Sequence, residues 1–289
     1  MKEIKIIYKD DKNYPKSLLQ LKNPPEQLFV LGDENLLNKK SIAIIGSRDC
    51  TEYGYRQAVK FAKKMSENNI CVVSGMAVGI DSAAHIGAKN EIGKTIAVLG
   101  SGFNDIYPKE NEELFYDILN KGGCIISEYE PKTIHDSKQF PERNRIVSAL
   151  SKGVLVVEAR YRSGTSITAK YAKELGKTIY CIPTNLDETT GVGTGRLIQS
   201  GAKFVLSPDD ILFDFGLDVE ENDYIEELEI DVDEKYRDVF NVLKRIPTNI
   251  NEIVKQSGKS MVEVNSALTM LELQGLVKQS GVGEFVKTR

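Results

Sequence analysis

The sequence predicts an α/β protein, with a mostly parallel sheet covered by helices on both faces and a small C-terminal winged-helix domain. Two observations carry that expectation. Short unbroken apolar runs (IAII at 42–45, ICVV at 70–73, TIAVL at 95–99, VLVV at 154–157) alternate with segments whose apolar residues recur at helical spacing. Strands buried on both faces read as continuous apolar runs, whereas strands with one wet face alternate, so this pattern indicates a parallel sheet between helical layers. The stretch from 235 to 289 instead reads as three helices followed by two short strands.

Residues 1–40 read as a leader that ends in a strand, QLFVLG at 27–32. Residues 41–213 form the main domain. The strand at 42–45 stops at Gly46, Ser47 and Arg48, and a helix at 55–68 carries Ala58, Phe61, Ala62 and Met65 on one face. The strand at 70–73 ends in a loop holding Gly75, Met76, Ala77 and Gly79, with a helix over 80–89. The strand at 95–99 ends at Gly100, Ser101 and Gly102; a helix at 111–119 and an extended stretch at 124–126 follow. Pro141, a favoured first-turn residue, opens a helix at 142–150. The strand at 154–157 is closed by Glu158; Ser163, Gly164, Thr165 and Ser166 turn the chain into a helix at 167–175, and a strand follows at 177–182.

The segment 214–234 holds eleven acids and no base, and reads as a self-repelling linker. Beyond it, helices at 236–245, 249–256 and 260–274 precede a wing with strands at 276–278 and 284–286. A groove-reading helix brings Arg, Lys, Asn or Gln to the bases. The third helix carries Glu263, Glu272 and no base, so a protein-contact role stands beside DNA binding for this domain.

The net charge of −4 is unevenly placed. With the acidic segment set apart, residues 1–213 carry 29 bases against 26 acids and residues 235–289 carry nine against five, so a polyanionic partner is allowed. No run approaches the length of a membrane span and the N-terminus lacks the apolar core of a signal peptide, which predicts a cytoplasmic protein with no membrane contact. Cys50, Cys71, Cys124 and Cys181 lie far apart without metal-type spacing and read as reduced thiols. Neither a metal nor a cofactor is expected.

In parallel sheets ligands bind at the carboxyl ends of the strands, and four small-residue loops fall there. Their backbone N–H groups and the helix dipoles behind them suit phosphate. No G-x-G-x-x-G or Walker loop is present. Arg48 supplies a donor fork instead. Phe140, Arg143, Asn144 and Arg145 put an aromatic beside cations, which suits a single strand whose bases stack while its phosphates meet the cations; Phe140 read alone fits a staple at the start of a helix. Asp81 and His85, one helical turn apart, could form an acid–base pair, but Asp81 is better read as bracing its loop and His85 as a packing residue. His135 sits in a polar loop with no evident partner. No catalytic site is expected.

With these motifs in place the chain resembles the DprA (Smf) family of bacterial DNA-processing proteins. The resemblance rests on YPKSLLQLKNPPEQLFVLG from Tyr14, IIGSR from Ile44, VVSGMAVGIDSAAH from Val72, LGSGFNDIYPKEN from Leu99, FPERNRIVSALS from Phe140 and VVEARYRSGTSITA from Val156. The stretch from Leu271 is similar to the end of the family's winged helix. The resemblance implies an extended Rossmann-like domain that binds single-stranded DNA, forms a homodimer, and helps load the RecA recombinase during natural transformation. It places Arg48, the Gly75 to Gly79 loop, Phe140, Arg143, Asn144 and Arg145 against DNA, with Tyr107, Pro108 and Asn111 shaping the same pocket. Many members carry a helical domain ahead of the YP motif, and only thirteen residues precede Tyr14 here. Two rival readings remain at this level. One is a nucleotide-hydrolysing enzyme of the same superfamily, whose P-G-G-x-G-T-x-x-E loop is matched only by RYRSGTSITA; the other is a sensor binding a small nucleotide in the crevice.

Overall fold

The computed structural model describes residues 3–161, 163–185, 187–217, 232–244 and 246–288. It divides into two compact units, 1–222 and 223–289. The centre of the predicted acidic linker, 218–231, lies outside the described residues.

The first unit is built on one sheet. Its strands are β1 (Lys5–Tyr8), β2 (Gln27–Gly32), β3 (Ser41–Ile45), β4 (Cys71–Ser74), β5 (Thr95–Val98), β6 (Cys124–Ser127), β7 (Gly153–Val156), β8 (Thr178–Cys181) and β9 (Lys203–Phe204). Among the described residues they run in the order β1-β2-β6-β5-β4-β3-β7-β8-β9. From β6 to β9 every pairing is parallel, while β1 and β2 add an antiparallel edge. The connecting helices are α1 (Glu52–Glu67), α2 (Ile80–Ala88), α3 (Glu112–Asn120), α4 (Gln139–Leu150), α5 (Gly164–Glu174), α6 (Val192–Gln199) and α7 (Pro208–Asp214). The parallel sheet between helical layers is as the apolar runs predict.

Alternation along each strand assigns its side chains to opposite layers. Ile42 and Ile44 of β3 pack with Phe61 and Met65 of α1, Ile80 of α2 and Ile211 of α7. Ala43 and Ile45 pack on the other face with Ile146 and Val147 of α4 and Ala172 of α5. Ala97 and Ile125 meet Leu114, Phe115 and Ile118 of α3. Phe61, Ile42 and Met65 are essentially unexposed, and full burial of such a side chain contributes about 1.5–3 kcal/mol.

Several boundaries differ from the sequence reading for identifiable reasons. The turn expected at 163–166 is the start of α5: Ser163 is its N-cap position and Gly164 its first residue. Helix α4 begins at Gln139, which places Phe140 and Pro141 inside its first turn. Helix α1 begins at Glu52 because the Thr51 hydroxyl accepts the Gly54 N–H at 3.0 Å and caps the end. Strand β1, with three of its four residues exposed, and α6, whose first turn holds two glycines, lack the patterns that mark the other elements.

The second unit contains α8 (Glu234–Val242), β10 (Thr248–Asn249), α9 (Ile250–Ser257), α10 (Met261–Leu273), β11 (Val277–Gly281) and β12 (Glu284–Lys287), a winged-helix arrangement with sheet order β10-β12-β11. Its core joins Val239, Phe240, Ile253, Leu268, Leu271 and Phe285. Ser260 and Glu263 form a capping box at the start of α10. No helix among the described residues is long and apolar enough to cross a membrane.

Candidate nucleic-acid interface

The carboxyl ends of β3, β4 and β5 lie side by side, and their loops lock together through the backbone. Ser47, almost fully buried, donates its N–H to the Glu158 carbonyl at 2.8 Å and accepts the Ile80 N–H at 3.2 Å. Gly79 has φ +80°, and a Cβ there would stand 2.4 Å from the Ser47 carbonyl oxygen, so the second loop touches the first only because this residue is glycine.

Arg143 ties the neighbouring strand ends. The residue is 3% exposed; its guanidinium donates to the carbonyls of Gly75 and Val98, with Nε donating to Asn144 Oδ1 at 3.2 Å. The Asp81 carboxylate accepts the Gly75 N–H at 3.1 Å from the other side of the loop. Burial pushes Asp81 upward while Arg143 pulls it back; burial likewise lowers Arg143 to about 10 against the opposing pull of Asp81. The expected contact residues therefore divide. Arg143 has Nη1 taken up by two carbonyls and Nε by Asn144, and it also forms part of the crevice wall. Arg145 pairs with Glu128 at 2.5 Å, both largely buried. Met76 is wholly inside the core, and Asn111 donates Nδ2 to the Met76 carbonyl at 2.8 Å. Ser101 is buried with its hydroxyl on the Asp105 carbonyl at 2.8 Å. These side chains hold the loops in shape, because a buried polar group needs its partners inside the protein.

What remains accessible is a row of rings. Tyr107 stacks on His135 with centroids 4.1 Å apart at 22°, and on Phe140 at 5.3 Å and 28°. The Arg48 guanidinium lies over Phe140, 5.7 Å from its centroid. Arg48 is exposed, and among the described residues no ion pair includes it. His135 is the member that sequence reasoning missed. It is fixed by Asp105, whose Oδ2 meets its Nδ1 at 2.6 Å and accepts its backbone N–H at 2.7 Å. Burial pushes Asp105 up, but the hydrogen bonds from His135 outweigh it and hold the carboxyl below its usual range. Nothing local in the sequence links positions 105, 107 and 135. Gly75, Ala77, Pro108 and Arg143 join Arg48, Tyr107 and Phe140 around a concavity of about 60 Å³. Gly100 packs beneath Phe140, where a Cβ would stand 2.8 Å from Cδ1. Ser163, Gly164 and Thr165 are not in its wall.

The Asp81–His85 pair does not form. His85 Nδ1 lies 2.7 Å from the Thr95 hydroxyl, which spends its own proton on the Val72 carbonyl, so the imidazole donates. Burial lowers His85 to about 3 and keeps it neutral. Among the described residues no cluster of His, Cys, Asp and Glu suits a metal, and no disulfide joins the four cysteines.

Residues 5–216 match the family model for DNA recombination-mediator protein A, and residues 226–281 match that for the DprA winged helix domain. Protein Smf of Escherichia coli is 35% identical over 98% of this chain and 77% of its own length. DNA processing protein DprA of Streptococcus pneumoniae is 40% identical over 71% of this chain and 72% of its own. Among solved structures, DNA processing protein A from Helicobacter pylori, described for its single-stranded DNA binding mode, superposes with a TM-score of 0.67 at 30% identity, covering 74% of this chain and 96% of that one.

Proposed function

Because the chain belongs to the DNA recombination-mediator protein A family, we propose that it is a non-catalytic single-stranded DNA-binding protein of the cytoplasm. The observation that carries this reading is the row His135–Tyr107–Phe140 capped by Arg48 at the carboxyl edge of the sheet. Rings give bases a sequence-tolerant stacking surface, and an arginine without an acidic partner gives phosphate a bidentate fork. Exposed Lys109 and Lys138 lie two residues along the chain from Tyr107 and Phe140, respectively. In this reading Arg48 and the loop around Gly75 to Gly79 meet the backbone, Tyr107 and Phe140 meet the bases, and Arg143, Asn144 and Arg145 keep the surface in shape. The likeness to the Helicobacter pylori protein supports the same ligand. From the family we extend the role to a homodimer that protects incoming single strands and passes them to the RecA recombinase during natural transformation.

Binding of fluorescent oligo-dT and of an equal-length duplex across a salt series tests the reading. Wild type should prefer the single strand, with affinity falling steeply as salt rises. Arg48→Ala should weaken binding about tenfold and lower the log–log salt slope by about 0.7, the share of one phosphate contact. Equal affinity for duplex, or wild-type affinity in a folded Arg48→Ala protein, would overturn it.

A further inference from the structure

A doubly wound sheet ordinarily offers the N-terminus of its first helix to a ligand phosphate at the point where strand order reverses. Here the reversal falls at β3, flanked by β4 on one side and β7 on the other. The helix that follows β3, α1, is sixteen residues long, and its N-terminus is already filled from within.

Glu158, just past the end of β7, is 1% exposed and sends its carboxylate to that end. Oε2 accepts the Thr51 N–H at 2.9 Å, and Oε1 accepts the Thr51 hydroxyl at 2.5 Å. That hydroxyl in turn accepts the Gly54 N–H, so the N-cap residue and one first-turn donor are tied to one internal anion. A Cβ at Gly54 would stand 2.4 Å from Glu158 Cδ, so the glycine in the first turn of α1 is what admits the carboxylate. Among the described residues no ion pair includes Glu158, which leaves the helix dipole and these two donors to hold its charge. Beside it opens a crevice of about 370 Å³, lined by Thr51, Tyr53, Glu158, Pro183, Asn185 and Glu188. That volume suits a nucleoside-sized ligand. Its phosphate end is closed.

We propose that Glu158 is a specificity-determining residue that excludes mononucleotides and other small phosphates from the crevice beside β3 and β7 by standing where a phosphate would. The charge repels an incoming anion, and the carboxylate stands at the helix end and already holds the Thr51 N–H and hydroxyl. Anionic ligands are thereby left to the separate surface around Arg48. The inference does not depend on what that surface binds.

The experiment titrates AMP, inorganic pyrophosphate and adenosine into full-length protein by calorimetry. Every protein carries Arg48→Ala, so that the other cationic site does not report. With Glu158 intact, AMP and pyrophosphate should bind no tighter than the millimolar range. Glu158→Ala should bind both at least about tenfold tighter, a gain of about 1.4 kcal/mol. Adenosine, lacking the phosphate, should show no gain. Glu158→Gln, which keeps the size and loses the charge, should move in the same direction and serves where the alanine variant fails to fold. Equal affinity with and without Glu158 in folded protein, or micromolar AMP binding with Glu158 intact, would overturn the proposal. Oligo-dT binding of Glu158→Gln in the Arg48 background reads the DNA function separately, so failure of one idea does not mask failure of the other.

Discussion

Two arginines at one sheet edge illustrate how burial decides what a side chain does. Arg48 is exposed and rests on Phe140, whereas Arg143 is enclosed with Nη1 on the Gly75 and Val98 carbonyls and Asp81 across the loop. Removing a buried cation strands its charged and polar partners, a loss of about 3–5 kcal/mol. Arg143→Ala should therefore lower the urea midpoint sharply, while Arg48→Ala should leave it within about 0.5 kcal/mol of wild type; equal stability of the two would refute the division. His85 gives the pH counterpart. Its folded value is held near 3 against 6.5 for an unperturbed imidazole. As pH falls below 6.5 the unfolded chain takes up a proton that the folded chain refuses, so stability present at neutral pH is lost toward pH 3. Asp81, raised by burial, works in the opposite sense on acidification. His85→Leu loses the bond to Thr95 and should be less stable at pH 7.5, yet its midpoint should fall less than that of wild type between pH 7.5 and 5. A parallel fall in both proteins would show that another group sets the acid limb.

At the scale of elements, α1 and α5 give glycines opposite meanings. Alanine normally favours a helix over glycine by about 1 kcal/mol. Gly164 opens α5 with nothing within 4 Å of a Cβ, so Gly164→Ala should be neutral or mildly stabilising. Gly54 lies in the first turn of α1 against the Glu158 carboxylate, so Gly54→Ala should destabilise by about 1–3 kcal/mol through overpacking. Thermal melts of the two variants read the sign directly. The same contrast shows what the sequence made legible. Strands β3, β4, β5 and β7 stood out because parallel strands covered on both faces carry unbroken apolar runs. Arg48 and Phe140 stood out because they fall within motifs at strand or helix ends. His135 did not, since its stack with Tyr107 and its bond to Asp105 join residues about thirty positions apart. Arg143 and Arg145 were legible as cations but not as buried ones, because burial is set by strand ends distant in the chain. The carboxylate plug at α1 was invisible for the same reason: Thr51 and Glu158 meet only because β3 and β7 are neighbours.

For the whole molecule, the arrangement of cores predicts where binding resides. Among the described residues, the three apolar clusters of the first unit draw on none beyond Leu217, and that of the second on none before Val232. Helix α7 contributes Ile211 and Leu212 to the first of these units, so a cut ahead of it would open the core, whereas a cut after Leu217 would not. Residues 235–289 are mildly basic in sequence, but α10 exposes Val262, Met270 and Leu273 with no Lys or Arg among its residues. A helix that exposes these apolar side chains together with Glu263 and Glu272, and no cation, is poorly suited to a phosphate backbone. A protein ending at Leu217 should accordingly fold, and should bind oligo-dT within about threefold of the full chain at moderate salt, with the same dependence on Arg48. Side-by-side titrations of the truncated and full proteins decide this. A loss of more than about tenfold in a folded truncated protein would mean that the winged helix carries contacts of its own, since the acidic segment removed with it would otherwise only relieve repulsion of the DNA.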